Sequence, residues 1–216
     1  MTAADTPRPA AERRVRACFT EETITVYQAY APVIADAALA AGTFVAPFKR
    51  ERMTWIKPSF LWMMYRSGWA TKPGQEKVLA VEMRREGFEW ALAHASLSHY
   101  APEVHTDADA WKEQLRASPV RVQWDPERSV TLQPLPQRAV QVGLSGEAVE
   151  RYVEDWIVRI SDVTDLAQAV HRHVAAGRLD EAESRLPREV PYPLPERIRE
   201  RIGGTAGVRE QESPRT

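Results

Sequence analysis

Short runs of β-branched or alternating residues recur along this chain without a helix regularly between them, and that order constrains the fold more than any other feature. Residues 15–19 and 23–30 are rich in β-branched and aromatic side chains. Only the polar break Thr20-Glu21-Glu22 separates them, so they read as consecutive strands or a hairpin. A helix is predicted over 33–41, opened by Pro32 and stopped by Gly42. The loop 44–52 follows, then a short strand 53–56 and a helix 60–66 ended by Gly68. Residues 77–83 read as a strand, and 87–99 and 107–117 as helices. Residues 120–124 alternate as a half-buried strand, 125–128 turn the chain, and Pro134 and Pro136 confine the next stretch to an edge or loop. Residues 138–144 alternate again; a helix at 148–152, a strand at 156–160 and a helical pair, 164–175 and 179–186, complete the order. The succession β-β-α-β-α-β-α-α-β-β-α-β-α-α predicts an α+β fold, a mostly antiparallel sheet with flanking helices, and argues against a doubly wound parallel sheet.

A chain of 216 residues suits one domain, placed at 14–195, with a disordered leader at 1–13 and a flexible tail at 196–216. The 29 Lys and Arg against 30 Asp and Glu leave a net charge of -1, which excludes a fold that grips duplex DNA by overall charge but leaves room for a local basic groove. The single cysteine, Cys18, excludes an intrachain disulfide framework and a cysteine zinc cluster, and fits a reducing cytoplasm. The N-terminal residues hold no apolar run of secretory-signal type, and no run of 18 apolar residues suggests a membrane span.

Several chemistries lack their motifs. There is no phosphate-binding Gly-x-x-x-x-Gly-Lys-Ser/Thr or Gly-x-Gly-x-x-Gly loop, no His-Glu-x-x-His pair and no Gly-x-Ser-x-Gly elbow. No metal site is expected. Three segments remain. In Val26-Tyr27-Gln28-Ala29-Tyr30 an amide interrupts an apolar strand, and Gln28 faces either a neighbouring strand or a cleft. From Arg52 to Trp69 aromatics are interleaved with cations: Trp55, Trp62, Tyr65 and Trp69 form either a core stripe or a stacking surface for a planar ligand, with Arg or Lys taking phosphate. In Pro136-Gln137-Arg138-Ala139-Val140-Gln141-Val142 two glutamines and an arginine flank a late strand, as sheet-face polarity or as site groups.

These three segments together resemble the uncharacterised family numbered 4291 among domains of unknown function, over nearly all of residues 15–195; that resemblance implies no established activity. Their order is also similar to that of the ADP-ribosyltransferases. Tyr27-Gln28-Ala29-Tyr30 leads through Ile34 and Ala38 to Gly42-Thr43-Phe44, as the superfamily's first site strand leads into a helix ended by glycine. Trp55, Ser59 and Trp62 or Tyr65 look like its aromatic strand and Ser-bearing helix, and residues 136–142 occupy the place of the strand that carries a glutamate in active transferases. Here Gln28 stands for His or Arg, Ala29 for Gly, and no Glu opens the last strand; in this reading the carboxylates considered nearby are Glu82 and Glu147, and neither takes the glutamate's place.

The resemblance implies a split-sheet fold of ADP-ribosyltransferase type with NAD as cofactor. It makes Gln28, Gln137 and Gln141 the candidate catalytic residues. Tyr27, Ala29, Tyr30, Arg52, Trp55, Lys57, Ser59, Trp62 and Tyr65 would hold the dinucleotide. A glutamine hydrogen-bonds a ribose hydroxyl without contributing charge. Superfamily members that act on nucleic acid or transfer a 2′-phosphate have more varied catalytic residues, so the resemblance implies an RNA, DNA or nucleotide acceptor. The alternative is a non-catalytic module that binds RNA or protein through the same aromatics and the basic loop 49–52.

Overall fold

Two β-sheets meet at a single rung. The computed structural model describes residues 11–206. In chain order its elements are β1 (Arg16–Ala17), β2 (Thr23–Tyr30), α1 (Pro32–Ala41), β3 (Thr54–Ile56), α2 (Phe60–Ser67), β4 (Lys77–Arg84), α3 (Arg85–Ala93), β5 (Ala95–Leu97) and α4 (Ala108–Ala117). There follow β6 (Val120–Arg128), β7 (Pro134–Leu144), α5 (Glu147–Arg151) running into a π-helical turn (Tyr152–Trp156), β8 (Ile157–Asp162), α6 (Thr164–Ala175), α7 (Leu179–Glu183), β9 (Val190–Pro191) and α8 (Glu196–Arg201). One sheet has the order β2-β4-β8, the other β3-β7-β6-β5, and β1 pairs with β9. Every pairing between these strands is antiparallel except the parallel β5–β6 pair. The fold is therefore mixed α and β with several antiparallel sheets.

The larger sheets touch where Tyr27 and Lys57 exchange backbone hydrogen bonds, Tyr27 N–H to Lys57 O at 2.7 Å and Lys57 N–H to Tyr27 O at 3.3 Å. Beyond that rung β2 and β3 diverge. Apolar faces explain the two layers. Ile24 and Val26 of β2, Val81 and Met83 of β4, and Val122, Val140 and Val142 of the second sheet bury into one core with α1 and α3. The opposite face of β2 and β4, through Tyr27 and Val78, meets Phe60, Trp62 and Met63 of α2 and Val170 of α6 in a second core. Trp69 and Trp156 are core residues, 5% and 3% exposed. Trp156 lies so close to Gly87 of α3 that a Cβ there would fall 2.4 Å from the indole.

The structure revises four expectations. The helix expected over 87–99 stops at Ala93, because Ala95, Ser96 and Leu97 are all buried and extend beside β6 as a strand. An all-buried run of three carries neither a helical nor a strand period. The turn expected at 125–128 is the continuation of β6, with Pro126 accommodated at a register shift. The expected flexible tail contains α8, whose Ile198, together with Ile202, is 3% and 1% exposed in the main core. At the other end, Arg138 N–H donates to Glu12 O at 2.7 Å, tying residues expected in the leader to β7. Residues 1–10 and 207–216, the remainder of the expected leader and tail, lie outside the described residues. No helix among the described residues is long and apolar enough to cross a membrane.

Candidate functional site

Where β2 and β3 part, they leave a half-open cavity of about 730 Å³, a size typical of small-molecule sites. Its inner end is a hydrogen-bonded lattice around Gln28, which is 2% exposed. Tyr152 O–H donates to Gln28 Oε1 at 2.8 Å. Gln28 Nε2 donates towards Tyr30 Oη and Thr54 Oγ1, both at 2.8 Å, with Trp55 O at 3.2 Å. Tyr30 and Thr54 hydroxyls also pair, 2.9 Å apart. Burial pushes the Tyr30 phenol up to about 12, against the pull of Thr54, so both hydroxyls face the cavity as neutral donors or acceptors. Gln28 thus joins β2, β3 and the π-helical turn, and both ends of its amide are engaged.

The second feature is a buried ion pair. Lys57 Nζ lies 2.8 Å from Asp125 Oδ2 and 2.9 Å from the centroid of the Trp62 ring. Burial drives the Lys57 amine down to about 7, against the opposing attraction of Asp125. The other carboxylate oxygen, Asp125 Oδ1, accepts from Gln123 Nε2 at 3.0 Å. Val120, Val122 and the partly buried Trp124 of β6 pack on the core, so the alternating residues Gln123 and Asp125 face the cavity. On β7 the same alternation turns Gln141 and Gly143 towards it. Gly143 matters because it has no side chain: a Cβ there would sit 2.9 Å from the Trp55 indole, which lies against β7 in the space this leaves.

Lys49, Arg52 and Arg66 line the cavity, and none has a carboxylate within ion-pair distance among the described residues. Arg50, between two of them in sequence, is instead held on the surface by Glu150 and Glu154 at 2.7 and 2.6 Å. Asp125 is the one carboxylate lining the cavity among the described residues, and Lys57 balances it. The site is therefore positive in a chain whose net charge is -1. No group of three or more His, Cys, Asp or Glu side chains among the described residues is arranged to hold a metal ion.

The structure brings together Gln28, Gln141, Ala29, Tyr30, Arg52, Trp55, Lys57 and Trp62 around this cavity. It places the other four elsewhere. Tyr27 points to the second core, edge-on to Phe60 at 5.4 Å. Ser59 caps α2, accepting from Trp62 N–H at 3.2 Å, and donates to Glu127 Oε1 at 2.7 Å. Tyr65 is 42% exposed outside the cavity, with the Arg128 guanidinium 3.5 Å above its ring. Gln137 lies on β7 and does not line the cavity. Two of the eight are already committed: the Lys57 ammonium to Asp125, and a face of Trp62 to Lys57. That leaves Arg52 with Lys49 and Arg66 as cations open to a ligand, and Trp55, Phe48 and Tyr30 as aromatic surfaces. Sequence reasoning missed Gln123, Asp125, Thr54 and Tyr152. For the first two a signal existed: carrying the β6 alternation past Trp124 puts Asp125 on the face of Gln123.

A family model described as Domain of unknown function (DUF4291) matches residues 14–192. The chain belongs to that family. No curated protein matches it. The match spans every cavity-lining residue of this DUF4291 domain, from Ile34 and the β2 residues to Gln141.

Proposed function

We propose that the cavity binds NAD and that this DUF4291 domain is an ADP-ribosyltransferase-like enzyme acting on a nucleic acid or nucleotide acceptor. The observation that carries the reading is the cluster of Lys49, Arg52 and Arg66, cavity-lining cations without carboxylate partners, beside the half-buried Trp55. A dinucleotide matches this combination: its pyrophosphate takes the cations by charge-assisted hydrogen bonds, and a planar ring packs on the indole. The divergence of β2 and β3 supports the reading as well, because it opens the cleft between the strands that the resemblance pairs as site strands. At its inner end the Tyr30 and Thr54 hydroxyls, oriented by Gln28, meet ribose or carboxamide groups.

The acceptor reading draws on the outer lip. Lys72 and Arg128 lie over the exposed Tyr65 ring, 5.9 and 3.5 Å from its centroid, and Lys72 also donates to the backbone oxygen of the cavity-lining Arg66, a cationic approach for a phosphate backbone. The same lip supports the second reading, a non-catalytic RNA-binding module. Thermal shift and calorimetry with NAD and ADP-ribose separate the two. A ligand at 100 times its Kd adds about 2.7 kcal/mol, or roughly 5–10 °C at this chain length. No shift and no heat at millimolar NAD and ADP-ribose refute the enzyme reading; binding of an oligonucleotide alone then favours the module.

A further inference from the structure

We propose that Asp125 is the catalytic carboxylate of this cleft, set against the ribose carbon from which nicotinamide departs. The inference rests on the NAD reading and adds to it the group that performs the chemistry.

Four observations converge on Asp125. It is the one acidic side chain lining the cavity among the described residues. Its oxygens are fixed separately, Oδ2 by Lys57 at 2.8 Å and Oδ1 by Gln123 at 3.0 Å, so the carboxylate cannot rotate freely. The pair is asymmetric: the Lys57 side chain is 1% exposed and Asp125 17%, so the lysine lies behind and the carboxylate is the partner open to the cavity. Finally, the register of β6 on β7 sets Asp125 opposite Ala139 and Gln123 opposite Gln141. The carboxylate therefore stands one strand beyond β7, the strand on which the sequence pattern looks for a glutamate and offers only glutamines.

The junction of the two sheets does not require this ion pair, since the backbone bonds of Tyr27 and Lys57 are made independently. A buried ion pair is generally no more stabilising than apolar groups of the same volume, so its presence at the edge of a ligand cavity calls for another reason. A held anion beside a site of developing positive charge supplies one, because fixed charges in a water-poor cavity stabilise a transition state without reorganising. In the step itself the bond between ribose C1 and the nicotinamide nitrogen breaks, and its electron pair stays on nitrogen, neutralising the pyridinium. The oxocarbenium-like carbon faces Asp125. The acceptor's oxygen or nitrogen forms a bond to that carbon, and its proton passes to the carboxylate and then to water. NAD and acceptor thus give ADP-ribosyl acceptor, nicotinamide and a proton.

The test is a binding comparison that needs no turnover. Titration calorimetry on the full chain compares ADP-ribose with an ADP-linked pyrrolidine whose ring ammonium mimics the ribosyl cation. The wild type is expected to bind the cationic mimic at least about tenfold more tightly, as transition-state mimics do. Asp125→Asn is expected to bind the two alike, within about twofold, and to keep its ADP-ribose affinity, because the phosphate-binding cations are untouched. Since Asp125→Asn leaves Lys57 buried without its counter-charge, the double variant Lys57→Met/Asp125→Asn, with no buried charge, is measured beside it and is expected to behave the same way. A preference that persists in either variant, or is missing from the wild type, overturns the assignment of Asp125 while ADP-ribose binding upholds the cleft. Failure of the wild type to bind ADP-ribose removes the NAD reading and this inference with it.

Discussion

Removing the amide of Gln28 disturbs the fold before it disturbs any ligand. In Gln28→Ala the hydrogen bonds to Tyr30, Thr54 and Trp55 are lost, but Tyr30 and Thr54 retain each other at 2.9 Å. Tyr152 does not fare as well. Its side chain is 0% exposed and its hydroxyl loses the Gln28 acceptor, which leaves a buried polar group unpaired at about 1–3 kcal/mol. With net losses of about 1 kcal/mol for bonds not replaced, the variant is expected to be roughly 3–5 kcal/mol less stable. Tyr152→Phe strands the Gln28 carbonyl oxygen instead, at about 1–3 kcal/mol. In the double variant neither orphan exists, so its loss is expected to fall short of the sum of the singles by about 1–3 kcal/mol. Urea unfolding followed by tryptophan fluorescence measures all four corners of the cycle. Losses that add to within about 0.5 kcal/mol, or a Gln28→Ala variant that unfolds like the parent, refute the lattice as a joint between the sheets.

Trp55→Ala is expected to weaken ADP-ribose binding by about 1–3 kcal/mol, the value of one stacked ring, and calorimetry that finds it unchanged removes Trp55 from the site. Gly143→Ala forces the Trp55 indole away from β7, and is expected to reduce ligand affinity more than it lowers the melting temperature; equal affinity in parent and variant counts against the close approach. Gly87→Ala drives a methyl into Trp156, and is expected to cost about 1–3 kcal/mol of stability with ligand affinity per folded molecule unchanged, as denaturant titration will report. Glu189, whose Oε1 accepts from Phe60 N–H at 2.6 Å, is raised from 4.5 to about 8, chiefly by burial. Between those values the folded chain keeps a proton that the unfolded chain releases, so this group's stabilisation is present below about pH 4.5 and is lost as pH rises through 8, at no more than about 1.4 kcal/mol per pH unit. Glu189→Gln is expected to flatten that fall in melting temperature, and an unaltered slope contradicts the shift.

The strands that frame the cleft were legible because their patterns are local. Residues 23–30 and 120–124 carry the strand signal in their own composition, and the helix at Phe60–Ser67 announces itself through the Ser59 cap and the Gly68 stop. Eight of twelve candidate residues converge on one cavity because two of the three chosen segments are the diverging strands themselves. What stayed hidden depends on long-range pairing. Asp125 precedes a proline and has the local chemistry of a turn; only the ladder with β7 keeps it in a strand. Tyr152 reaches Gln28 across 124 positions of sequence, which no periodicity reports. Lys57 reads as a phosphate ligand until Asp125 and Trp62 are seen on either side of its ammonium. The tail from Glu196 was obscured by its charge: all five residues of α8 other than Ile198 are Arg or Glu, and Ile202 follows directly after the helix.

The single rung between Tyr27 and Lys57 has a mechanical consequence. An ordinary ladder resists bending because many bonds would have to stretch together, whereas here the two sheets share one pair of backbone bonds. Beyond that rung the spacing of β2 and β3 is set by side chains and not by a backbone ladder. Gln28 spans the parting strands as a strut whose length fixes how far they stand apart, while the core that both sheets share packs behind it. Cleft width in this protein thus depends on one side-chain brace set over a common core, so a residue that reads as a binding group also acts as the gauge that spaces the walls of the cavity.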